Sequence, residues 1–60
     1  MSNFKEILRR YIVGSNIIIQ TRHHWRIFSL PEWNNFGYKA VELAHAHDFE
    51  MAKTLAAILQ

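Results

Sequence analysis

Apolar residues open the chain at a helical spacing. Phe4, Ile7, Leu8, Tyr11 and Ile12 recur at i, i+3, i+4, i+7 and i+8, which places them on one stripe of an amphipathic helix. Ser2 or Asn3 can cap the start, and Glu6 lies in the first turn. Arg9 and Arg10 fall toward the negative end of the dipole, and Gly14 supplies a left-handed terminator. The pattern predicts a helix over about residues 3–13.

The period changes after Gly14. Ile17-Ile18-Ile19-Gln20-Thr21 is dense in β-branched side chains, which lose rotamer freedom in helices and suit strands. Trp25-Arg26-Ile27-Phe28 alternates in the manner of a second strand, with Arg22-His23-His24 as the connection. A central β-hairpin over about 16–29 follows. Its rival is a second helix, with Ile18, Thr21, Trp25 and Phe28 along one side, which would make the domain all-α.

Ser29-Leu30-Pro31-Glu32 has the form of a capping box, with Pro in the first turn where its missing N–H costs nothing. A helix therefore begins near Leu30. Asn34, Asn35 and Gly37 are poor helix formers, so its solid part is expected from Phe36 onward, through a stretch rich in Ala, Leu, Glu and Lys. The stripe Val41, Ala44, Met51, Leu55, Ile58 keeps three-four spacing only if Asp48 lies inside it, and burying that carboxylate is costly. A break at His45–Asp48, with Asp48 capping a final helix from Phe49 to Leu59, removes the conflict. The expectation for about 30–59 is a helical hairpin, with one long helix as the alternative.

Trp33, Phe36, Gly37 and Asp48-Phe49-Glu50-Met51-Ala52 resemble positions of one tetratricopeptide unit. The resemblance covers under half of the chain, has about three extra residues between the Trp and the Asp, and finds no second copy. It implies similar helix packing and no particular activity.

Composition sharpens this picture of a single, mainly α domain. Sixty residues bury only about 60% of the surface of the unfolded chain. Domains of this size usually need a disulfide, a metal or a partner, and the absence of cysteine removes disulfides and thiolate metal sites. Yet 50% of the residues are hydrophobic and only 20% charged, more apolar surface than so small a core accommodates. Self-association is the expected outlet. The C-terminal residues Met51, Leu55, Ile58 and Leu59 are its expected seat, because an apolar chain end is ordered only when docked. No apolar run approaches the roughly 18–20 residues of a membrane span, and the cytoplasm is the default compartment.

Charge is unevenly placed. Residues 1–30 hold five basic residues against Glu6, a net of +4, whereas residues 31–60 hold two basic against four acidic, a net of −2. Such asymmetry suits association between copies, or a basic face turned to nucleic acid or an acidic protein. Arg22, His24, Trp25 and Arg26 form the densest basic aromatic segment and the candidate partner-binding patch. Phosphate contact by the arginines with base stacking on Trp25 would make it a nucleic-acid site, the second choice behind a protein partner.

The four histidines, in His23-His24 and His45-x-His47-Asp48, are residues that bind metals, but helical placement would turn His45 and His47 to different sides. No metal site and no cofactor are expected. No thiol nucleophile is present, Gly14 and Gly37 are too far apart for a phosphate loop, and Ser15 and Ser29 lack a neighbouring Asp-His pair. The sequence thus points to a non-enzymatic, self-associating interaction module. It is the size of phage and mobile-element accessory proteins that bind host proteins, with a small nucleic-acid-binding regulator as the alternative.

Overall fold

The computed structural model describes residues 7–60 and contains four strands and two α-helices. The strands are β1 (Arg9–Val13), β2 (Asn16–Gln20), β3 (Trp25–Ser29) and β4 (Ala44–Ala46). Helix α1 spans Leu30–Phe36 and helix α2 spans Phe49–Ile58, with a 3-10 turn at Gly37–Lys39 after α1. The strands form one antiparallel sheet in the order β1-β2-β3-β4. The fold is α+β, which corrects both the mainly α expectation and its all-α alternative.

The largest correction is at the N-terminus. Residues 9–13 of the expected helix are a strand, paired from Arg9 opposite Gln20 to Val13 opposite Asn16. Residues 3–6, including Phe4, lie outside the described segment, and Leu8 donates its N–H to the Gln20 carbonyl at 2.9 Å. Tyr11-Ile12-Val13 is a β-favouring run, and its pairing with β2 outweighs a stripe that only happened to match the helical period. Gly14 does adopt a positive φ of 60°, but as the first central residue of the two-residue turn joining β1 to β2, not as a helix terminator. A Cβ there would also meet the Gln60 side chain.

Strands β2 and β3 pair from Asn16–Ser29 to Gln20–Trp25, so the β-branched run is a strand as its composition predicts. Thr21 closes the connection with its N–H and its hydroxyl, both donating to the His24 carbonyl at 2.9 and 2.8 Å. Ser29 caps α1 as expected: the Glu32 N–H donates to Ser29 Oγ at 3.2 Å. Helix α1 then ends where it was expected to firm up, because Gly37 takes φ 57° and its N–H bonds the Trp33 carbonyl. Asp48 caps α2, accepting from the Met51 N–H at 2.8 Å.

Neither a helical hairpin nor a long helix occupies 30–59. Strand β4 intervenes, with Ala44, His45 and Ala46 paired to Ile27, Arg26 and Trp25. Docking on the open side of β3 supplies this segment with backbone partners that an isolated Ala-rich stretch would find only in a helix. A strand between Trp33 and Asp48 also removes the helix pair implied by the tetratricopeptide resemblance.

Both sheet faces are covered. Ile18, Ile27 and Ala46 meet Ala52 and Ala56 of α2, with Tyr11, Val13, Trp25, Phe49 and Leu55 around them. On the other face Ile17, Ile19, Phe28 and Ala40 are packed by Leu30 and Trp33 of α1 and by Tyr38. The unbroken apolar run of β2 is explained by this burial on both sides. Asn16, 2% exposed, is satisfied through its side-chain N–H, which donates to the Ala56 carbonyl at 2.9 Å.

Candidate functional site

The ten-residue helix α2 turns small residues inward. Ala52 and Ala56 are fully buried against the sheet. At 100° per residue, Met51, Leu55 and Ile58 lie within about 60° of one another, on the flank of the helix next to that buried line. Met51 is 53% exposed and Ile58 69%, while Leu55 packs against the edge of the core. Leu59, 42% exposed, follows the helix and donates its N–H to the Leu55 carbonyl at 2.9 Å. The structure therefore aligns Met51, Leu55 and Ile58 along one side of α2, from its first turn to its last, with Leu59 just beyond its end and Leu55 as the root of an exposed apolar ridge.

The opposite flank of α2 is internally engaged. Phe49 stacks in a tilted arrangement on Tyr11 and Trp25, with ring centroids 4.6 and 4.9 Å away, and Lys53 lies over the Phe49 ring at 5.0 Å. The last residue ties back to the sheet, where Gln60 Oε1 accepts from the Ser15 N–H at 3.2 Å. The order of the C-terminus thus has an internal source, since α2 docks on its own sheet.

The basic aromatic patch divides. Trp25 belongs to the α2 face and is half-buried against Tyr11 and Phe49. Arg26, its neighbour in the strand, belongs to the α1 face, where its guanidinium lies 5.1 Å from the Phe28 centroid and 5.4 Å from that of Tyr38. Its Nε donates to Glu42 Oε1 in an ion pair. The alternation of a strand separates the two side chains. Arg22 is exposed in the connection before β3, and His24 is half-buried with its ring 5.3 Å from that of His45.

Glu42 is the hub that the sequence did not reveal. Its second oxygen lies 3.0 Å from His45 Nδ1. Burial pushes its carboxyl up, but the hydrogen bonds and charges of Arg26 and His45 outweigh this and leave it below the ordinary carboxylate value. Nearby, burial pushes the Tyr38 phenol up against the opposing charges of Arg26 and Arg10. No signal short of knowing that residues 44–46 form a strand could have joined Glu42 to Arg26, sixteen positions away.

Strand geometry also changes the histidines. His45 and His47 are on the same side of an extended segment, with rings 6.5 Å apart, instead of diverging as on a helix. Among the described residues, no group of three or more His, Asp or Glu is placed to hold a metal ion. No helix among them is long and apolar enough to cross a membrane. Neither a protein-family model, nor a curated protein, nor a solved structure matches the chain.

Proposed function

We propose that this protein is a non-catalytic interaction module that associates with copies of itself through the exposed ridge of α2. The observation that carries the proposal is the exposure of Met51 and Ile58 on the same flank as Leu55. Single apolar side chains at a surface are ordinary, but an aligned set on an ordered helix is the form in which helices present anchors to a partner. Two copies of such a ridge pack against each other by placing the larger side chains between those of the opposite helix.

The surroundings fit this role. Glu50 and Lys53 pair with each other at 3.3 Å, off the ridge, so an approaching helix meets no isolated charge at its centre. Leu59 extends the apolar surface to the end of α2. A host protein with an apolar helix or groove would use the same ridge. The division of Trp25 from Arg26 favours this surface over the basic aromatic segment, because stacking and phosphate contact by that segment need both on one side.

Sedimentation of the protein at tens of micromolar tests the proposal. A mass that rises with concentration toward that of a dimer or larger is expected, with little change on adding salt. A single species of monomer mass over the whole range would overturn it.

A further inference from the structure

Three imidazoles gather at one corner of the sheet. His24 precedes β3, His45 is the middle residue of β4 and His47 follows it. Arg26 is paired with His45 and Trp25 with Ala46; continued by one residue, the register sets His24 across from His47. The His24 and His45 rings meet edge to face at 5.3 Å, and those of His45 and His47 at 6.5 Å. Two cross-strand rows, Arg26 with His45 and His24 with His47, thus form an array shared by β3 and β4.

The charge of this array depends on protons. With neutral imidazoles it contains one cation and one anion, Arg26 and Glu42, already joined. A proton on His45 is met by the Glu42 carboxylate, whereas one on His24 is an extra positive charge facing His45, Arg26 and His47. The connection before β3 contributes Arg22 and His23, which are basic as well. On the acidic side, Glu42 already serves Arg26 and His45, Asp48 is engaged by the Met51 N–H, and Glu50 of α2 pairs with Lys53. Tyr38 and Arg10, on the same face as Arg26, bring no negative charge at neutral pH.

We propose that this array is a pH-sensitive latch on the β4 edge of the sheet: a neutral His24 lets β4 close on β3, and its protonation, beside His45, His47 and Arg26, loosens it. Like charges directly across a strand pair are destabilising, and here they collect on the strand least able to resist. β4 is only three residues long and pairs on one side, next to the bond from the Leu43 N–H to the Ile27 carbonyl at 2.8 Å. β2, by contrast, has a partner on each side and four buried residues.

The affinity of His24 for a proton agrees in sign. Burial first, and the His45 charge second, hold it below the ordinary imidazole value of 6.5. A histidine depressed by folding leaves stability intact above the unfolded value and removes it as pH falls through the folded one. The latch is therefore closed above about pH 6.5 and opens as the solution becomes mildly acidic.

Amide exchange read residue by residue at about pH 7.5 and about pH 5.5 tests this, on either side of the ordinary imidazole value. After correction for intrinsic rates, the opening constant at Leu43 should rise severalfold on acidification. That at Ile18 should change much less. In the double variant His24→Gln, His47→Gln the rise at Leu43 should disappear. Equal changes at Leu43 and Ile18, or a rise that persists in the variant, would overturn the latch. Should the variant not fold, the unaltered protein decides: Leu43 opening must share its midpoint with the His24 ring resonances, and a midpoint in the carboxylate range overturns the proposal.

Discussion

The two faces of the sheet are closed in opposite ways. The α1 face is filled by rings: Phe28 lies 5.1 Å from Trp33, which meets Tyr38 edge to face at 5.2 Å, and the Arg26 guanidinium covers the remaining aromatic surface. The α2 face is filled along most of the helix by Ala52 and Ala56 against Ile18 and Ile27, with rings only near its start. Small residues let a helix approach its sheet closely, but leave its large apolar residues elsewhere. Trp33 of α1 points inward and its neighbours Glu32, Asn34 and Asn35 outward, with Phe36 exposed only at its end; α2 has alanine inward and Met51 and Ile58 outward along its length. The exposed apolar ridge of α2 is therefore a consequence of how the α2 face is packed.

Opposite substitutions should break the two faces. Phe28→Ala removes a fully buried ring from the α1 face and should cost about 3–5 kcal/mol in denaturant unfolding, enough to threaten the fold. Ala52→Leu adds bulk where α2 meets the sheet and should cost about 1–3 kcal/mol. A larger penalty for Ala52→Leu than for Phe28→Ala would show that the packing contrast between the faces is misplaced.

The caps sharpen the same contrast. Asp48→Ala should lower stability by about 0.5–2 kcal/mol, and Ser29→Ala by an amount toward the lower end of that range. The Asp48 bond is shorter, 2.8 against 3.2 Å, and it starts a ten-residue helix rather than one of seven. Equal unfolding midpoints for the Ser29 variant and the unaltered protein would mean that Ser29 does not hold α1 in solution.

Acid titration gives the smallest expected effect and concerns the α1 face. Folding lowers the Glu42 carboxyl, so its stabilising contribution is complete above its ordinary value of 4.5 and disappears as pH falls through the folded value. Glu42→Gln should therefore be less stable near neutrality and flatter in stability below about pH 4.5. A variant that loses stability in acid as steeply as the unaltered protein would show that Glu42 is not the titrating group.

Local signals were legible where they were chemical. Ser29, Gly37 and Asp48 announce helix ends through a hydroxyl, a missing Cβ and a carboxylate, although Gly37 was placed inside a helix instead of at its end. The β-branched composition of Ile17-Ile18-Ile19 favours a strand over the rival helix, and β2 is that strand. The β1 and β4 edges were illegible for a different reason. Arg9–Val13 carries a spacing that a helix and a strand can both satisfy, and Ala44-His45-Ala46 combines strand alternation with a residue that favours helices. In both, the deciding term is hydrogen bonding to a strand distant in sequence or formed across a turn. The same blindness hid Glu42 beside Arg26 and joined Trp25 to Arg26 in a patch that the sheet divides.

The α2 ridge can be tested without disturbing the core. Leu55 is the wrong residue to alter, because it packs on the Ile18 cluster and its loss would mix association with unfolding. Met51 and Ile58 are mostly exposed, so Met51→Lys with Ile58→Lys should leave the unfolding midpoint of the isolated domain nearly unchanged. Sedimentation of this double variant beside the unaltered protein, at matched concentrations in the tens of micromolar, is the most direct measurement. The account predicts an associating unaltered protein and a folded, monomeric variant. An unaltered protein that stays monomeric, or a variant that associates equally well, would contradict it.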